Sequence, residues 1–392
     1  MRFDFNNSDW AALFRSRDNG SELFQSLVDN TPVLNLDSGW ALSQGHIADA
    51  PTPTADDGSA TFRIESSKLE AAPLMDLRAP LGESHQMDAE GAEEYVASIP
   101  DFIARGWTET AARRAYKERM YAQLGNTDRI IANWIEKVLL RGLNSAKSTL
   151  NQIGAQLATK GKADYKGLGA GIYAKLHDAR IPAENFVKAG AKTWTDPACK
   201  ILTQMRKIED NYRDKRGGYS GALTWRMTKN MYVNTFLQNQ EVRDLYASWC
   251  KANYIAYVEG MPITNEQFLQ SFTDIQGISP IDIVTEKERN KTRTTDTMVQ
   301  GWADNIAVLR PAGDMFEFKY ANVLEREMYT KYGAKSIDTT FATMLNGLVT
   351  AMNTTTDNGR LQEWHTDVMM SATPALLSFT NHVIVNTANA GE

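Results

Sequence analysis

Between residues 131 and 157 the apolar side chains Ile131, Ile135, Val138, Leu139, Leu143, Ala146, Leu150, Ile153 and Leu157 recur at steps of three and four. An α-helix returns side chains at those steps to one face, so this stretch specifies a helix with a single apolar stripe. Gly125-Asn126 marks a boundary before it, and Thr127 or Asp128 supplies an oxygen for its first turn. About thirty residues at roughly 1.5 Å each give a rod of about 45 Å. Gly142 falls inside the stripe and predicts a weak point or a bend. A rod this long spans a subunit, and the remaining elements have to be laid against it.

The chain is unequally charged on the two sides of this region. Residues 1–100 hold 6 basic and 17 acidic side chains, a net of −11, whereas residues 101–231 hold 24 basic and 12 acidic ones, a net of +12. Two differently solvated faces account for that split. So does an acidic part of one subunit lying on a basic part of another, which fixes register and partner choice. The whole chain carries a net charge of −6, which argues against coating nucleic acid through bulk positive charge. Hydrophobic residues make up 42% of the 392 residues, enough for a sizeable core. Cys199 and Cys250 form no CxxC pair, so a disulfide framework or thiolate metal site is not expected and a reducing compartment fits. The opening MRFDFNNSDW lacks a signal peptide's apolar centre. No apolar run approaches the roughly 20 residues that span a bilayer. The expectation is a soluble protein made in the cytoplasm.

Ahead of the long helix, residues 1–40 look partly helical around Trp10, Leu13, Phe14, Leu23, Phe24 and Leu27. From Ala48 to Pro100 turn-rich stretches (PTPTADDGSA, RAPLGESHQ) flank one short strand candidate in TFRIESSKLEAAP. Long apolar side chains are too few there for a core of its own, so this segment is expected to be held by a partner. TETAARRAYKERMYAQL, residues 108–124, reads as a helix ending at Gly125-Asn126. Beyond the rod, residues 161–192 form a Gly-containing connector, and helices are expected at 196–214 and 235–250. Between them a basic Gly-rich loop runs into a strand. Ile278–Val284 and Ile306–Leu309 read as short strands, with Phe316–Tyr320 a hairpin partner of the second across Arg310-Pro311-Ala312-Gly313. The C-terminus offers two β-like runs interrupted at Pro374 and at Thr380-Asn381. The class is α+β.

Catalytic patterns are weak. His46, His85, His177, His365 and His382 include no pair at metal-ligand spacing and no HExxH. His365 and Asp367 share one face of a strand, without a nucleophile to complete a catalytic set. Lys166-Gly167-Leu168-Gly169-Ala170-Gly171 has the wrong spacing for a dinucleotide loop, and Gly217-Gly218 lacks the Gly-Lys-Ser/Thr ending of a phosphate loop. Arg113, Arg114, Lys117 and Arg119 cluster in the 108–124 stretch, either as a solvated face or as a contact for phosphate or an acidic neighbouring segment. No catalytic residue, cofactor or metal is assigned, and an enzyme is not expected.

The order of four stretches carries a family resemblance: NTDRIIANWIEKVLLRGLN, KTWTDPACKILTQMRKIE, WRMTKNMYVNTFLQNQEVRDLY and MMSATPALLSFTNHVIVNT, with VLRPAGDM before the last. In that order they resemble the lambda-like coat-protein branch of tailed-phage major capsid proteins, across about residues 50–392. The resemblance implies the Hong Kong 97-type capsid fold: an N-arm (1–47), an extended loop (48–105), a peripheral domain with a long spine helix (106–195), an axial domain (196–345) and a C-terminal return to the peripheral domain (346–392). It further implies a coat protein that assembles with itself into hexamers and pentamers of an icosahedral or prolate head around double-stranded DNA. Scaffolding, portal and decoration proteins are implied partners, DNA is touched weakly on the inner face, and no membrane is involved. The location implied is the virion, assembled in the host cytoplasm.

On this reading Phe62, Ile64, Leu69, Leu74 and Leu77 of the loop bury against an adjacent subunit. Lys68 is the loop's single lysine. The loop's carboxylates meet Arg113, Arg114, Lys117 and Arg119 of a neighbour. Some relatives cross-link a loop lysine to an asparagine, but no motif here fixes a partner for Lys68. An encapsulin-like compartment, which shares the fold, is the nearest alternative. A cytoplasmic α+β enzyme with an unrecognised site is the more distant one.

Overall fold

The computed structural model describes residues 44–49, 61–66, 93–104, 108–110, 127–163, 177–216, 218–256, 268, 271, 278–285, 288–291, 296–299, 301–323, 337–344, 348–357 and 362–390. Helices and strands are mixed along the chain, an α+β arrangement. Strands β1 (Gly45–Asp49), β2 (Thr61–Ser66), β3 (Glu93–Ser98), β4 (Asp101–Ala104) and β5 (Thr108–Thr110) come first. The long helix α1 follows as one unbroken run, Thr127–Lys160. Short strands β6 (Lys162–Ala163), β7 (His177–Asp178) and β8 (Phe186–Ala189) lead to α2 (Ile201–Lys215). Then come β9 (Leu223–Thr228), α3 (Gln240–Ala252), β10 (Ile281–Val284), β11 (Glu288–Lys291) and β12 (Asp296–Val299). Strands β13 (Ile306–Pro311), β14 (Phe316–Tyr320), β15 (Ile337–Met344), β16 (Val349–Asp357), β17 (Gln362–Leu376) and β18 (Val383–Ala390) complete the order.

The stripe folds as its spacing demands. Leu143, Ala146, Leu150, Ile153 and Leu157 are buried, and α1 lies along β17. Gly142 neither ends nor interrupts the helix. A Cβ there would sit 2.3 Å from Val368 Cγ2 of β17, so the glycine is what lets helix and strand approach this closely. The helix ends at Gly161, whose φ of +69 is open to glycine and whose N–H donates to the Leu157 carbonyl at 2.9 Å.

Two larger sheets share the chain. One runs β1-β14-β17-β16-β15, with β4 and β5 also paired to β17; the other runs β10-β9-β13-β18-β8. Leu150, Ile153, Phe316, Phe318, Leu376 and Phe379 belong to a core beneath α1. Trp194, Trp225, Phe236, Trp249 and Phe268 belong to a second core under α2 and α3. The second sheet feeds both: Val308 and Ile384 join the first core, while the alternating Leu309, Val383 and Val385 join the other. That two-sided burial explains the unbroken apolar run Ile306-Ala307-Val308-Leu309.

Five sequence expectations change. β13 and β14 are not a hairpin: β13 pairs with β9 and β18, whereas β14 pairs with β1 and β17, so the turn between them passes from one sheet to the other. Pro374 does not interrupt β17. Ser371 accepts from Ala321 N–H beside β14, so alternation turns the Pro374 nitrogen away from β14, where its missing N–H leaves no rung open. Thr108–Thr110 is a strand and not the start of a helix, because it pairs with Glu363–His365 of β17; residues 111–126 lie outside the described residues. Finally, α2 begins at Ile201 and not at 196, since the Asp196 carboxylate accepts the Ala198 N–H at 2.8 Å in a local turn before the helix. Similarly, α3 waits for Asn239, whose side chain accepts from Glu241 N–H.

Candidate interaction site

TFRIES alternates in polarity, and it pairs antiparallel with EEYVAS from Thr61↔Ser98 to Ser66↔Glu93. Alternation gives the β2–β3 ribbon an inner and an outer face. Inward, Phe62 (3% exposed), Ile64 (4%), Tyr95 and Ala97 are buried in the core beneath α1. Outward stand Arg63, Glu65, Glu94 and Val96, with Arg63 and Glu94 paired at 3.1 Å across the exposed surface. Because Ser66 and Glu93 are directly opposite, the ribbon holds both ends of segment 67–92 together.

The root of the ribbon is made by residues from three distant parts of the chain. Tyr95 packs edge-on against Phe62 and Phe379 and lies 5.7 Å, ring to ring, from His177. Its hydroxyl accepts the Leu376 N–H at 2.9 Å, on the edge of β17 that faces away from β14. Ser66 and Thr380 share a hydroxyl–hydroxyl bond of 2.6 Å. His177, from β7, completes the cluster beside Phe62 at 5.5 Å, with Nδ1 3.4 Å from the Thr373 hydroxyl. Burial pushes its imidazole down to about 3, against the opposing pull of Asp178, so the ring is a neutral packing group.

A second polar seam fixes the strand that precedes the ribbon. Gln44 accepts the N–H groups of Met315 and Phe316 on its carbonyl and Arg226 Nη2 on its side chain, at 2.6 Å. Gly45 follows, where a Cβ would collide with the Phe316 carbonyl at 2.0 Å, so β1 can lie parallel to β14 only with glycine there. Arg226 also reaches Asp282 at 3.1 Å, and Arg310 donates to the Asp314 carbonyl at 2.7 Å. Burial first, and then the neighbouring Arg226, push Arg310 down to about 9. His382, whose Nε2 lies 2.8 Å from the Ala158 carbonyl of α1, is lowered to about 3 by burial and by Arg310. On the outside, His46 lies between Asp314 at 3.0 Å and Glu317 at 3.6 Å. These contacts tie together segments far apart in the chain. Both cysteines are buried as free thiols, and burial raises Cys199 to about 11.

Of the residues expected to contact a neighbour, Phe62 and Ile64 are corrected: each is buried in its own subunit. The reason is the pairing with EEYVAS, which turns a short apolar alternation into one wall of the main core. Lys68, Leu69, Leu74, Leu77, Arg113, Arg114, Lys117 and Arg119 lie outside the described residues. Sequence reasoning missed Tyr95, His177 and Thr380. Tyr95-Val96-Ala97 is an apolar triplet that does not reveal which side chains turn inward, and nothing local ties His177 or Thr380 to this place.

No protein-family description matches the chain, and no curated protein does. Among solved structures it is similar to the putative capsid protein of a prophage of Escherichia coli CFT073, at 12% identity over 76% of this chain and 80% of that one, with a TM-score of 0.45. It is similar to a phage-related protein from Bordetella bronchiseptica RB50 at 13% identity, over 93% and 96% of the two chains, with a TM-score of 0.46. The mature capsid of bacteriophage PhiM1 aligns at 12% identity over 87% and 84%, with a TM-score of 0.39.

Proposed function

We propose that the chain is a major capsid protein of the lambda-like coat branch, assembling as hexamers and pentamers into a tailed-phage head around double-stranded DNA. The observation that carries this reading is the β2–β3 ribbon. It is rooted in the subunit's own core and presents the two ends of segment 67–92 side by side. That segment is net acidic, with five carboxylates against Lys68 and Arg78, and contains Leu69, Leu74 and Leu77. The ordered resemblance of four stretches to coat proteins supports the same reading.

Under it, residues 1–47 are the N-arm, 48–105 the extended loop, 106–195 with 346–392 the peripheral domain, and 196–345 the axial domain. The ribbon is the rigid base of the loop. Leu69, Leu74 and Leu77 bury on an adjacent subunit, and the loop's carboxylates meet Arg113, Arg114, Lys117 and Arg119 there, many weak contacts multiplied by symmetry. Scaffolding, portal and decoration proteins are the further partners, and the virion is the location. An encapsulin-like shell is separated from a phage head by whether purified particles contain DNA or a protein cargo.

The test exploits the register of the ribbon. Residues 67–92 are replaced by Asn-Gly, which closes a hairpin between Ser66 and Glu93. The expected product has the wild-type circular dichroism and urea midpoint but forms no closed particles. Normal particles from this variant contradict the role given to the loop.

A further inference from the structure

Two arginines of the second sheet are enclosed more deeply than a charged side chain ordinarily is: Arg226 of β9 is 4% exposed and Arg310 of β13 is 2% exposed. Val308 is the register partner of Arg226, and Arg310 lies two residues farther along β13. Two residues along a strand return to the same face. The arginines are therefore diagonal neighbours on the side of the sheet where Val308 joins the first core. Their tips reach one junction. Arg226 Nη2 donates to the Gln44 side chain at 2.6 Å and Arg310 Nη2 to the Asp314 carbonyl at 2.7 Å, while the Gln44 carbonyl accepts the N–H groups of Met315 and Phe316.

This junction is short of negative charge. Asp282 meets Arg226 Nε at 3.1 Å. Arg310, by contrast, donates only to main-chain carbonyls among the described residues, with Pro311 accepting from its Nε at 3.3 Å. The Asp314 carboxylate stands on the exposed side, paired with His46. On each arginine Nη1 is buried and reaches no acceptor among the described residues. An enclosed N–H without an acceptor is costly, and an enclosed cation without an anion more so. Arg226 also depresses Arg310, as a like charge close by does. His382 precedes Val383, the register partner of Leu309, and so lies beside Arg310. Its Nε2 donates to the Ala158 carbonyl, which leaves Nδ1 a neutral acceptor that takes no part in holding an anion.

We infer that Arg226 and Arg310 hold a small inorganic anion, of chloride's size, between their Nη1 groups. Two guanidinium donors give it charge-assisted hydrogen bonds, and one negative charge brings the two arginines and Asp282 to neutrality. Both Nη1 groups are sealed from solvent, which suits a monatomic ion and not a phosphate group or a carboxylate from another chain. The site lies within a single subunit and stands apart from the capsid reading.

Urea unfolding of the dilute full-length protein tests this, with sodium chloride exchanged for sodium gluconate at constant ionic strength. Chloride at about 150 mM is expected to shift the wild-type midpoint upward and to raise the folding constant about tenfold over gluconate, saturating as binding to the folded state requires. Arg310→Met loses that response, and its midpoint in gluconate is at or above wild type because an apolar side chain replaces a buried cation. Arg226→Lys keeps the charge beside Asp282 but lacks Nη1, so it needs about tenfold more chloride for the same shift. Equal wild-type midpoints in chloride and gluconate overturn the inference. So does a full chloride response in either variant.

Discussion

His177 and His382 are sealed inside the subunit, and burial lowers each imidazole to about 3. Their protons are therefore taken up by the unfolded chain first. Between the ordinary histidine value near 6.5 and about 3, the unfolded state binds protons that the folded state refuses, so stability falls as pH falls through that window. Each histidine removes up to roughly 2 kcal/mol by pH 5. Urea unfolding at pH 7.5 and pH 5 is expected to show this loss, and His177→Gln with His382→Gln is expected to reduce it. An unchanged difference in the double variant contradicts the assignment. In sequence these histidines carried no such signal: five were scattered without partners, and their burial comes from elements far apart in the chain. The Ala158 carbonyl that faces His382 comes from α1, 224 positions earlier.

At the scale of elements, the fit of α1 against β17 turns on one pair. Gly142→Ala adds helix propensity of about 1 kcal/mol but places a methyl group 2.3 Å from the Val368 side chain. Overpacking of this kind costs about 1–3 kcal/mol and outweighs the gain. Chemical denaturation is expected to show Gly142→Ala as destabilising, and Gly142→Ala with Val368→Ala as more stable than the two separate losses imply. Additive losses contradict the contact. The helix itself was legible because its apolar spacing is local and long. The glycine's role was not, since it depends on a strand more than two hundred residues away. TFRIES was legible for the same local reason, but its partner EEYVAS lay beyond a 26-residue segment, and without that partner Phe62 and Ile64 read as side chains in need of a neighbour.

Across the whole molecule, the sequence conveyed the class and the order of elements better than their pairing. Adjacent strands β13 and β14 look like a hairpin because only a short turn separates them, yet they enter different sheets. At this turn Arg310 donates to the Asp314 carbonyl, and Gln44, which accepts from Arg226 and from the Met315 and Phe316 N–H groups, ties the turn after β13 to the backbone that leads into β1. The ribbon stands on the same core as α1, so the element proposed to reach a neighbour is anchored in the buried interior of its own subunit. The role proposed for the loop rests on that anchoring, with Ser66 and Glu93 held opposite each other at the two ends of segment 67–92. Negative-stain imaging of the purified full-length protein across a concentration series addresses this account directly. Closed shells of uniform size are the predicted result, and a compact 43.8 kDa monomer at every concentration contradicts it.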